Sequence, residues 1–214
     1  MLNRRWLFAY TMILVLTMTI PSSGALQPVP ALDIGIFSEA KPNGSFPDGW
    51  TSLAFPTAKL TDYTLVKRDD SVVVQAISEA AASGLSRQVS IDPGKHPILR
   101  WRWNVESFPA LSDFTRKDGD DYAARVYIGF EYNPSKVGFF EMVKYELLKL
   151  RYGTYPPLNA ISYIWDAHAP VGTIVPSPYT DRVQMIVVNS GMDGLEMWVA
   201  EEQNVYEDYQ AAFG

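Results

Sequence analysis

Two segments in the middle of the chain alternate apolar with polar residues. In the first, 98–105, the apolar positions are Leu99, Trp101, Trp103 and Val105, and the polar positions are Arg100, Arg102 and Asn104. In the second, 122–131, one side carries Tyr122, Ala124, Val126, Ile128 and Phe130, and the other carries Ala123, Arg125, Tyr127, Gly129 and Glu131. Successive side chains of a β-strand point to opposite sides of the sheet, so both segments are predicted to be strands with one buried and one polar face.

Shorter runs rich in β-branched and aromatic residues recur along the rest of the chain. Runs 61–66 and 71–77 are separated by the polar sequence Lys67-Arg68-Asp69-Asp70, which predicts a β-hairpin. Further strands are predicted at 32–37, 85–91, 158–165, 183–189 and 195–200. Together with the two alternating segments, about nine strands at short spacing predict a mainly β fold, a jelly-roll-like β-sandwich.

Two segments change to a helical period. In 139–151, Phe140, Val143, Leu147 and Leu150 recur at helical spacing, which predicts an amphipathic helix inserted between strands. We expect this apolar stripe to pack against the domain, and a surface for a partner protein is the alternative. Near the end of the chain, Asn204 and Glu207 have the spacing of a capping box, which predicts a short C-terminal helix.

The first residues have the composition of a signal peptide. Arg4 and Arg5 precede a nearly unbroken apolar stretch at 6–20, and small residues follow up to Ala25. We therefore predict a cleavable leader at 1–25 and one exported domain at 26–214, periplasmic or secreted. An uncleaved membrane anchor is the alternative, but the apolar stretch has 15 residues, whereas a spanning helix needs about 20. No segment after the leader is predicted to span a membrane.

Composition narrows the classes of function. The chain carries 18 basic and 24 acidic residues, a net charge of −6, and its basic residues are not clustered, so a nucleic-acid partner is not expected. The absence of cysteine excludes disulfides, thiolate metal ligands and a cysteine nucleophile. Six Trp, twelve Tyr and ten Phe are compatible with a large β core and with surfaces on which sugars stack.

Familiar catalytic and metal-binding patterns do not occur in the sequence. The two histidines, His96 and His168, lie outside any ligand-spaced motif, and there is no nucleophile elbow, phosphate-binding loop or dinucleotide fingerprint. We therefore assign no catalytic residue, no metal site and no cofactor. The Asp-Gly-Asp-Asp stretch at 118–121 is interpreted as a solvated turn whose aspartates pair with Arg125, and a calcium loop is the alternative.

One polar face combines charged and aromatic side chains and is the candidate ligand-binding face. It comprises Arg100, Arg102, Asp120, Asp121, Arg125, Tyr127 and Glu202. These side chains share one side only if the strands at 98–105 and 122–131 belong to the same sheet. They then form either a structural network of ion pairs or a concave site for a ligand rich in carboxylates or hydroxyls. Trp101 and Trp103 are interpreted as core residues rather than sugar platforms, because they alternate with the charges.

Several blocks of the sequence resemble a known family. The blocks Leu99-Arg100-Trp101-Arg102-Trp103, Gly119-Asp120-Asp121-Tyr122-Ala123-Ala124-Arg125-Val126-Tyr127 and Asn204-Val205-Tyr206-Glu207-Asp208-Tyr209 resemble a bacterial family of exported proteins catalogued as a domain of unknown function. The resemblance covers nearly the whole of 26–214 and implies no activity. Separately, Phe46-Pro47-Asp48-Gly49-Trp50 resembles jelly-roll carbohydrate-binding modules, although a fold by itself confers no function.

The leading hypothesis from the sequence is an exported, non-enzymatic binding or accessory domain. Its ligand, a polysaccharide or another component of the cell envelope, contacts the face with Arg102, Arg125 and Tyr127. The first alternative is a carbohydrate-active hydrolase with paired carboxylates drawn from Asp120, Asp121, Glu131, Glu201 and Glu202. The second alternative is a protein-interaction module that docks through the helix at 139–151. Oligomeric state is left open.

Overall fold

The computed structural model describes residues 30–55, 58–109, 113–152 and 157–214, and the predicted leader at 1–25 lies outside them. In these residues the chain forms ten β-strands and two α-helices. The strands are β1 (Trp50–Ala54), β2 (Asp62–Arg68), β3 (Ser71–Ile77), β4 (Ser83–Arg87), β5 (Ile98–Trp103), β6 (Ala124–Phe130), β7 (Asn159–Asp166), β8 (Ile174–Ser177), β9 (Thr180–Ser190) and β10 (Val199–Asn204), and the helices are α1 (Phe139–Tyr152) and α2 (Val205–Phe213). The mainly β class, the inserted helix and the C-terminal helix are confirmed.

The hairpin predicted at 61–77 is present. β2 and β3 pair antiparallel, with Arg68 opposite Ser71, and Asp69 in the turn has a φ of 51°. Aspartate adopts this left-handed conformation more readily than most residues other than glycine. The Asp-Asp sequence therefore suits the tight turn that joins the two strands.

The strand predicted at 32–37 is wrong, and a strand is found at β1 instead. Phe37–Glu39 form a single 3₁₀ turn. The Ile34 carbonyl accepts the indole N–H of Trp50 at 3.0 Å and a guanidinium N–H of Arg87 at 2.5 Å. These side chains satisfy a backbone group that a strand partner would otherwise bond. Trp50 and Arg87 face each other in the antiparallel pair of β1 with β4.

The four-stranded sheet has the order β6-β7-β9-β8. β7 pairs antiparallel with β6 and parallel with β9. Every residue of 161–166 in β7 is buried, so this strand is covered on both faces. Strands buried in this way have nearly continuous apolar sequences rather than an alternation, which explains the run Ile161-Ser162-Tyr163-Ile164-Trp165, where Ser162 is the one small polar residue.

A second layer, the pair β5 and β10, packs on one face of this sheet through aromatic rings. Trp101 lies 5.4 Å from Tyr163, and Trp103 lies 5.9 Å from Trp165, between ring centroids. The predicted alternation of 98–105 is confirmed, because Trp103 and Val105 are buried while Arg100, Arg102 and Asn104 are exposed. The two layers enclose the main core of a sandwich-like fold.

Helix α2 closes the end of this core. Asn204 begins it, because its side-chain oxygen accepts the backbone N–H of Glu207 at 3.2 Å, as predicted from the spacing. The hydroxyl of the fully buried Tyr163 donates to an Asp208 carboxylate oxygen at 2.7 Å. This bond joins the helix to the central strand β7.

The other face of the four-stranded sheet carries a smaller cluster. Tyr122, Ile164 and Met185 are buried there. Tyr122 was predicted on the same side as Ala124 and Val126, which pack in the main core instead. That prediction is wrong because the chain bends at Ala123, before β6 begins, so the period-two pattern does not extend back to Tyr122.

Helix α1 is attached by the side that carries Tyr145. Tyr145 is buried, stacks on Tyr132 with a centroid distance of 4.1 Å and an angle of 5°, and donates to the Pro157 carbonyl at 3.0 Å. The apolar stripe with Phe140 and Leu150 faces away and is exposed, so the expectation that this stripe packs against the domain is wrong. Among the described residues, no helix combines the length and hydropathy needed to cross a bilayer.

Candidate functional site

Part of the predicted ligand face lies on the outer side of the β5–β10 pair. Arg100 stands opposite Glu202 in the strand register, and its Nε donates to a Glu202 oxygen at 2.7 Å. The Arg102 guanidinium lies 5.4 Å from the ring centroid of Trp198. A shallow depression of about 440 Å³ is lined by residues 100–102 of β5 and 200–202 of β10. All four side chains are exposed, so this is a solvated surface with one ion pair.

The rest of the predicted face lies on the opposite side of the sandwich. Residues directly opposite each other in paired strands point to the same side of the sheet. Val126 pairs with Tyr163, which faces the β5–β10 layer, whereas Arg125 pairs with Ile164 on the far side. β5 and β6 thus belong to different sheets that meet through their apolar faces. The expectation of one continuous ligand face is therefore wrong, because the two polar faces point in opposite directions.

Arg125 sits in a compact network on that far side. Its guanidinium lies 4.5 Å from the centroid of the Tyr122 ring, donates to the Asp120 carbonyl and to the Tyr127 hydroxyl at 3.0 Å each, and is 3.7 Å from an Asp120 carboxylate oxygen. Burial raises the pKa of Asp120 despite this ion pair. Burial and the neighbouring Asp120 charge also raise the pKa of Tyr122. This network fastens the loop before β6 to the sheet.

The three aspartates of 118–121 do not share one set of contacts. Asp118 accepts a hydrogen bond from Arg116 Nε at 2.9 Å, Asp120 pairs with Arg125, and Asp121 is exposed. The interpretation as a turn that pairs with Arg125 thus applies to Asp120 alone. Within the ranges that the structure describes, no group of three or more His, Asp or Glu side chains is arranged to hold a metal ion.

The carboxylates considered for hydrolysis are also dispersed. Glu201 and Glu202 are neighbours on β10 and point to opposite sides. Glu202 is exposed, while Glu201 accepts the indole N–H of Trp103 at 3.2 Å and an Asn189 amide N–H at 3.4 Å. Asp120 lies on the other side of the four-stranded sheet from both glutamates. The pair of Asp120 with Glu202 therefore does not flank a common cleft, as two hydrolytic carboxylates must.

Replacing Glu201 by Gln is expected to stabilise the protein at neutral pH. Burial raises the pKa of Glu201 above its ordinary value of 4.5, so ionisation costs stability as the pH rises from that value through the pKa of the folded state. Glutamine keeps the side-chain oxygen that accepts both hydrogen bonds and removes the charge. Thermal unfolding as a function of pH measures the effect.

The advantage of Glu201→Gln over the wild type should shrink as the pH falls through the raised folded-state pKa of Glu201 towards 4.5 and should be gone below that value, because the wild-type side chain is then neutral as well. Glu202→Gln is the matched control on the same strand. It removes only the exposed ion pair with Arg100 and should change the free energy of unfolding by less than about 1 kcal/mol. A melting temperature of Glu201→Gln below that of the wild type at neutral pH would contradict the prediction.

A cleft that the sequence analysis did not predict lies at the start of α1. Its volume is about 700 Å³. The aromatic rings of Phe139 and Phe140 line it together with Leu158, and its polar side chains come from four separate elements or their ends: Glu141, Asn159, Arg182 and Tyr209.

The polar groups of this cleft are connected in one chain. Arg182 Nη2 lies 2.9 Å from a Glu141 oxygen, and Nη1 donates to the Asn159 side-chain oxygen at 3.4 Å. The Asn159 amide in turn donates to the Tyr209 hydroxyl at 3.2 Å. A guanidinium has five N–H donors, so Arg182, which is only partly buried, keeps donors that can face a ligand. The Tyr209 hydroxyl hydrogen is available in the same way.

No local sequence motif predicts this cleft. Glu141 belongs to α1, Asn159 begins β7, Arg182 lies in β9 and Tyr209 lies in α2. Each is an ordinary polar residue at its own position in the sequence, and only the fold brings them together. The one sequence signal is the adjacent pair Phe139-Phe140 at the start of α1. These two rings do not lie on the side of the helix that is buried.

These observations define the class of the protein: a mainly β, two-layer domain with an inserted helix and a polar cleft edged by aromatic rings. The chain belongs to the family described as a protein of unknown function (DUF3047), whose model matches residues 48–214. The matched region includes every residue of the cleft. Comparison with curated proteins and with solved structures gives no significant match.

Proposed function

We propose that this protein is an exported, non-enzymatic binding domain whose ligand is a polysaccharide or another hydroxyl-rich component of the cell envelope, held in the cleft at the start of α1. The observation that carries the proposal is the convergence of Arg182, Asn159 and Tyr209 beside two exposed phenylalanine rings. The export part of the proposal is supported by the arginines and apolar stretch at 1–25.

The chemistry of the cleft suits a sugar. Sugar hydroxyls both donate and accept hydrogen bonds, and the cleft offers guanidinium and amide donors next to the Glu141 carboxylate and the Tyr209 hydroxyl as acceptors. Aromatic side chains such as Phe139 and Phe140 supply apolar area for the C–H faces of a sugar ring. Ligand sites of this size combine a few convergent polar groups with apolar walls.

The binding class inferred from the sequence is retained, but its location changes. Arg100 and Arg125 lie on opposite sides of the sandwich, so they cannot hold one ligand together. The cleft, in contrast, holds an arginine, an amide and a phenol on one rim. We therefore place the ligand against Arg182 rather than against Arg102, Arg125 and Tyr127.

Replacing Arg182 by Gln is expected to weaken glycan binding at least about tenfold, the usual cost of losing a hydrogen bond from a charged donor. A glycan array made with the purified domain identifies the ligand, and titration calorimetry with that glycan compares the variants. Arg68→Gln is the matched control, because Arg68 is also partly exposed and ion-paired, with Glu106 at 3.6 Å, but lies on the β2–β3 hairpin.

The control should bind like the wild type, and both variants should keep their melting temperatures within a few degrees. Equal affinities for Arg182→Gln and Arg68→Gln would place the ligand elsewhere. The absence of any binding glycan on the array would contradict the proposed ligand class.

A further inference from the structure

Helix α1 carries an apolar ridge that no other described part of the chain covers. Its side chains, with their exposed fractions, are Phe139 (68%), Phe140 (88%), Val143 (42%), Leu147 (63%) and Leu150 (85%). Tyr145, on the opposite side of the helix, is the side chain that anchors α1. Contiguous exposed apolar patches on soluble proteins mark protein or membrane interaction sites. We call these five side chains the α1 ridge.

The α1 ridge is convex and long. α1 has 14 residues, about 21 Å of helix, and its two most exposed ridge side chains, Phe140 and Leu150, lie near opposite ends. A convex ridge of this kind fits best against a surface that can deform around its projecting side chains. The interface of a lipid bilayer accepts such a helix lying flat, with its apolar side chains about 5–10 Å deep.

The charge around the ridge differs in sign from that of the protein. The segment 136–151 contains Lys136, Lys144, Lys149 and Arg151 against Glu141 and Glu146, a balance of +2, whereas the whole chain carries −6. Glu141 is further paired with Arg182 at 2.9 Å. An anionic surface therefore attracts this part of the molecule and repels the rest, which orients the ridge towards it.

We infer that the α1 ridge seats the protein on a membrane surface that contains anionic lipids. The apolar side chains enter the boundary between headgroups and acyl chains, and the net positive charge of the segment 136–151 is attracted to the lipid phosphates. The cleft then opens next to the membrane, since Phe139 and Phe140 belong to both the ridge and the cleft. This inference does not depend on the identity of the cleft ligand.

A second copy of the chain fits the ridge less well. Five side chains of this kind expose roughly 600 Å² of apolar surface, so a symmetric pair of ridges would bury roughly 1,200 Å², the lower limit for a specific complex. In a two-fold pair the same patch meets itself, so two segments of charge +2 would also face each other. A lipid surface supplies the opposite charge.

Sedimentation with vesicles tests the inference. Vesicles of phosphatidylglycerol and phosphatidylcholine in equal parts are compared with pure phosphatidylcholine, at low and at high salt. The ridge variant combines Leu147→Ser with Leu150→Ser, both away from the cleft. The matched control combines Leu53→Ser with Leu60→Ser, which are 47% and 54% exposed on another part of the surface.

The wild type and the control should sediment with the anionic vesicles, less at high salt, and the ridge variant should bind at least about tenfold more weakly. Because the chain has no cysteine, a polarity-sensitive dye on Leu150→Cys reports insertion without altering the core. Its emission should shift to the blue on anionic vesicles, whereas the same dye on Leu60→Cys should not respond. Tyr209→Phe, which removes the cleft hydroxyl that accepts from Asn159 and changes no charge, should bind vesicles like the wild type, which separates this inference from the cleft proposal.

Equal vesicle binding by the ridge variant and its control would overturn the inference. Preference for phosphatidylcholine alone would do the same. A dimer in buffer that the ridge variant abolishes, found by analytical ultracentrifugation without vesicles, would assign the ridge to a second copy instead.

Discussion

Replacing Trp165 by Ala is expected to lower the free energy of unfolding by about 3–5 kcal/mol, the usual cost of removing a large core aromatic. Trp165 is fully buried, its ring lies 5.9 Å from Trp103 and 6.2 Å from Phe108, and its indole N–H donates to the Gly191 carbonyl at 3.1 Å. The substitution therefore opens a cavity between the two layers and leaves the partly buried Gly191 carbonyl without its indole partner. Urea unfolding followed by circular dichroism measures the loss.

Trp198→Ala is the matched control for this prediction. Trp198 is 39% exposed and its described ring contact is with the exposed Arg102 guanidinium, so its removal should cost about 1 kcal/mol or less. If both tryptophan variants lost the same stability, the aromatic contact between the layers would not be the main source of cohesion.

Asp166→Ala is expected to cost about 2–4 kcal/mol, because it leaves one buried and one partly buried backbone donor without an acceptor. Asp166 is 1% exposed, and its Oδ1 accepts the backbone N–H groups of His168 at 2.7 Å and Ala169 at 2.6 Å. The carboxylate thereby holds the turn that follows β7. The same unfolding experiment gives the size of the effect.

Asp166→Asn separates this role from that of charge. Asparagine retains an oxygen at the position of Oδ1, so both backbone hydrogen bonds persist. The second oxygen, Oδ2, has no hydrogen-bond partner among the described residues, so replacing it by an amide breaks no contact. We expect the Asn variant to lose less stability than the Ala variant, and equal losses would mean that the two backbone hydrogen bonds are not what stabilises this turn.

Strands whose apolar face meets the core could be predicted from the sequence. The alternation of Trp101 and Trp103 with arginines identified β5 and its orientation, because only one face of that strand is covered. The hairpin of β2 and β3 could be predicted equally well, since polar turn residues separate two β-rich runs. Both predictions needed only contacts between residues close in the sequence or a burial pattern with a period of two.

Helix α1 shows where the same reasoning fails. Its period correctly predicted an amphipathic helix, but the apolar side was expected to face inwards. The structure reverses it, because the stack of Tyr145 on Tyr132 and the hydrogen bond to Pro157 outweigh the stripe of Phe and Leu. The pattern in a single sequence indicates which residues share a side of a helix. It does not indicate which of those sides the rest of the protein covers.

The prediction of one continuous ligand face was wrong for a related reason. Arg102 and Arg125 alternate with core residues in the same way, and their patterns are indistinguishable along the chain. They end up on opposite sides because β5 pairs with β10 while β6 pairs with β7. The cleft at Arg182 was missed for the converse reason, since its residues share no pattern and come together only in the fold.

Local periodicity, turn residues and the capping asparagine thus sufficed for the mainly β class, the hairpin, the buried tryptophans and the two helices, because each depends on interactions within a few residues. Strand pairing, the side on which α1 is attached and the assembly of the cleft were decided by contacts between distant segments. Those contacts depend on which apolar surfaces bury each other, and burial is a property of the whole chain rather than of any one segment of it.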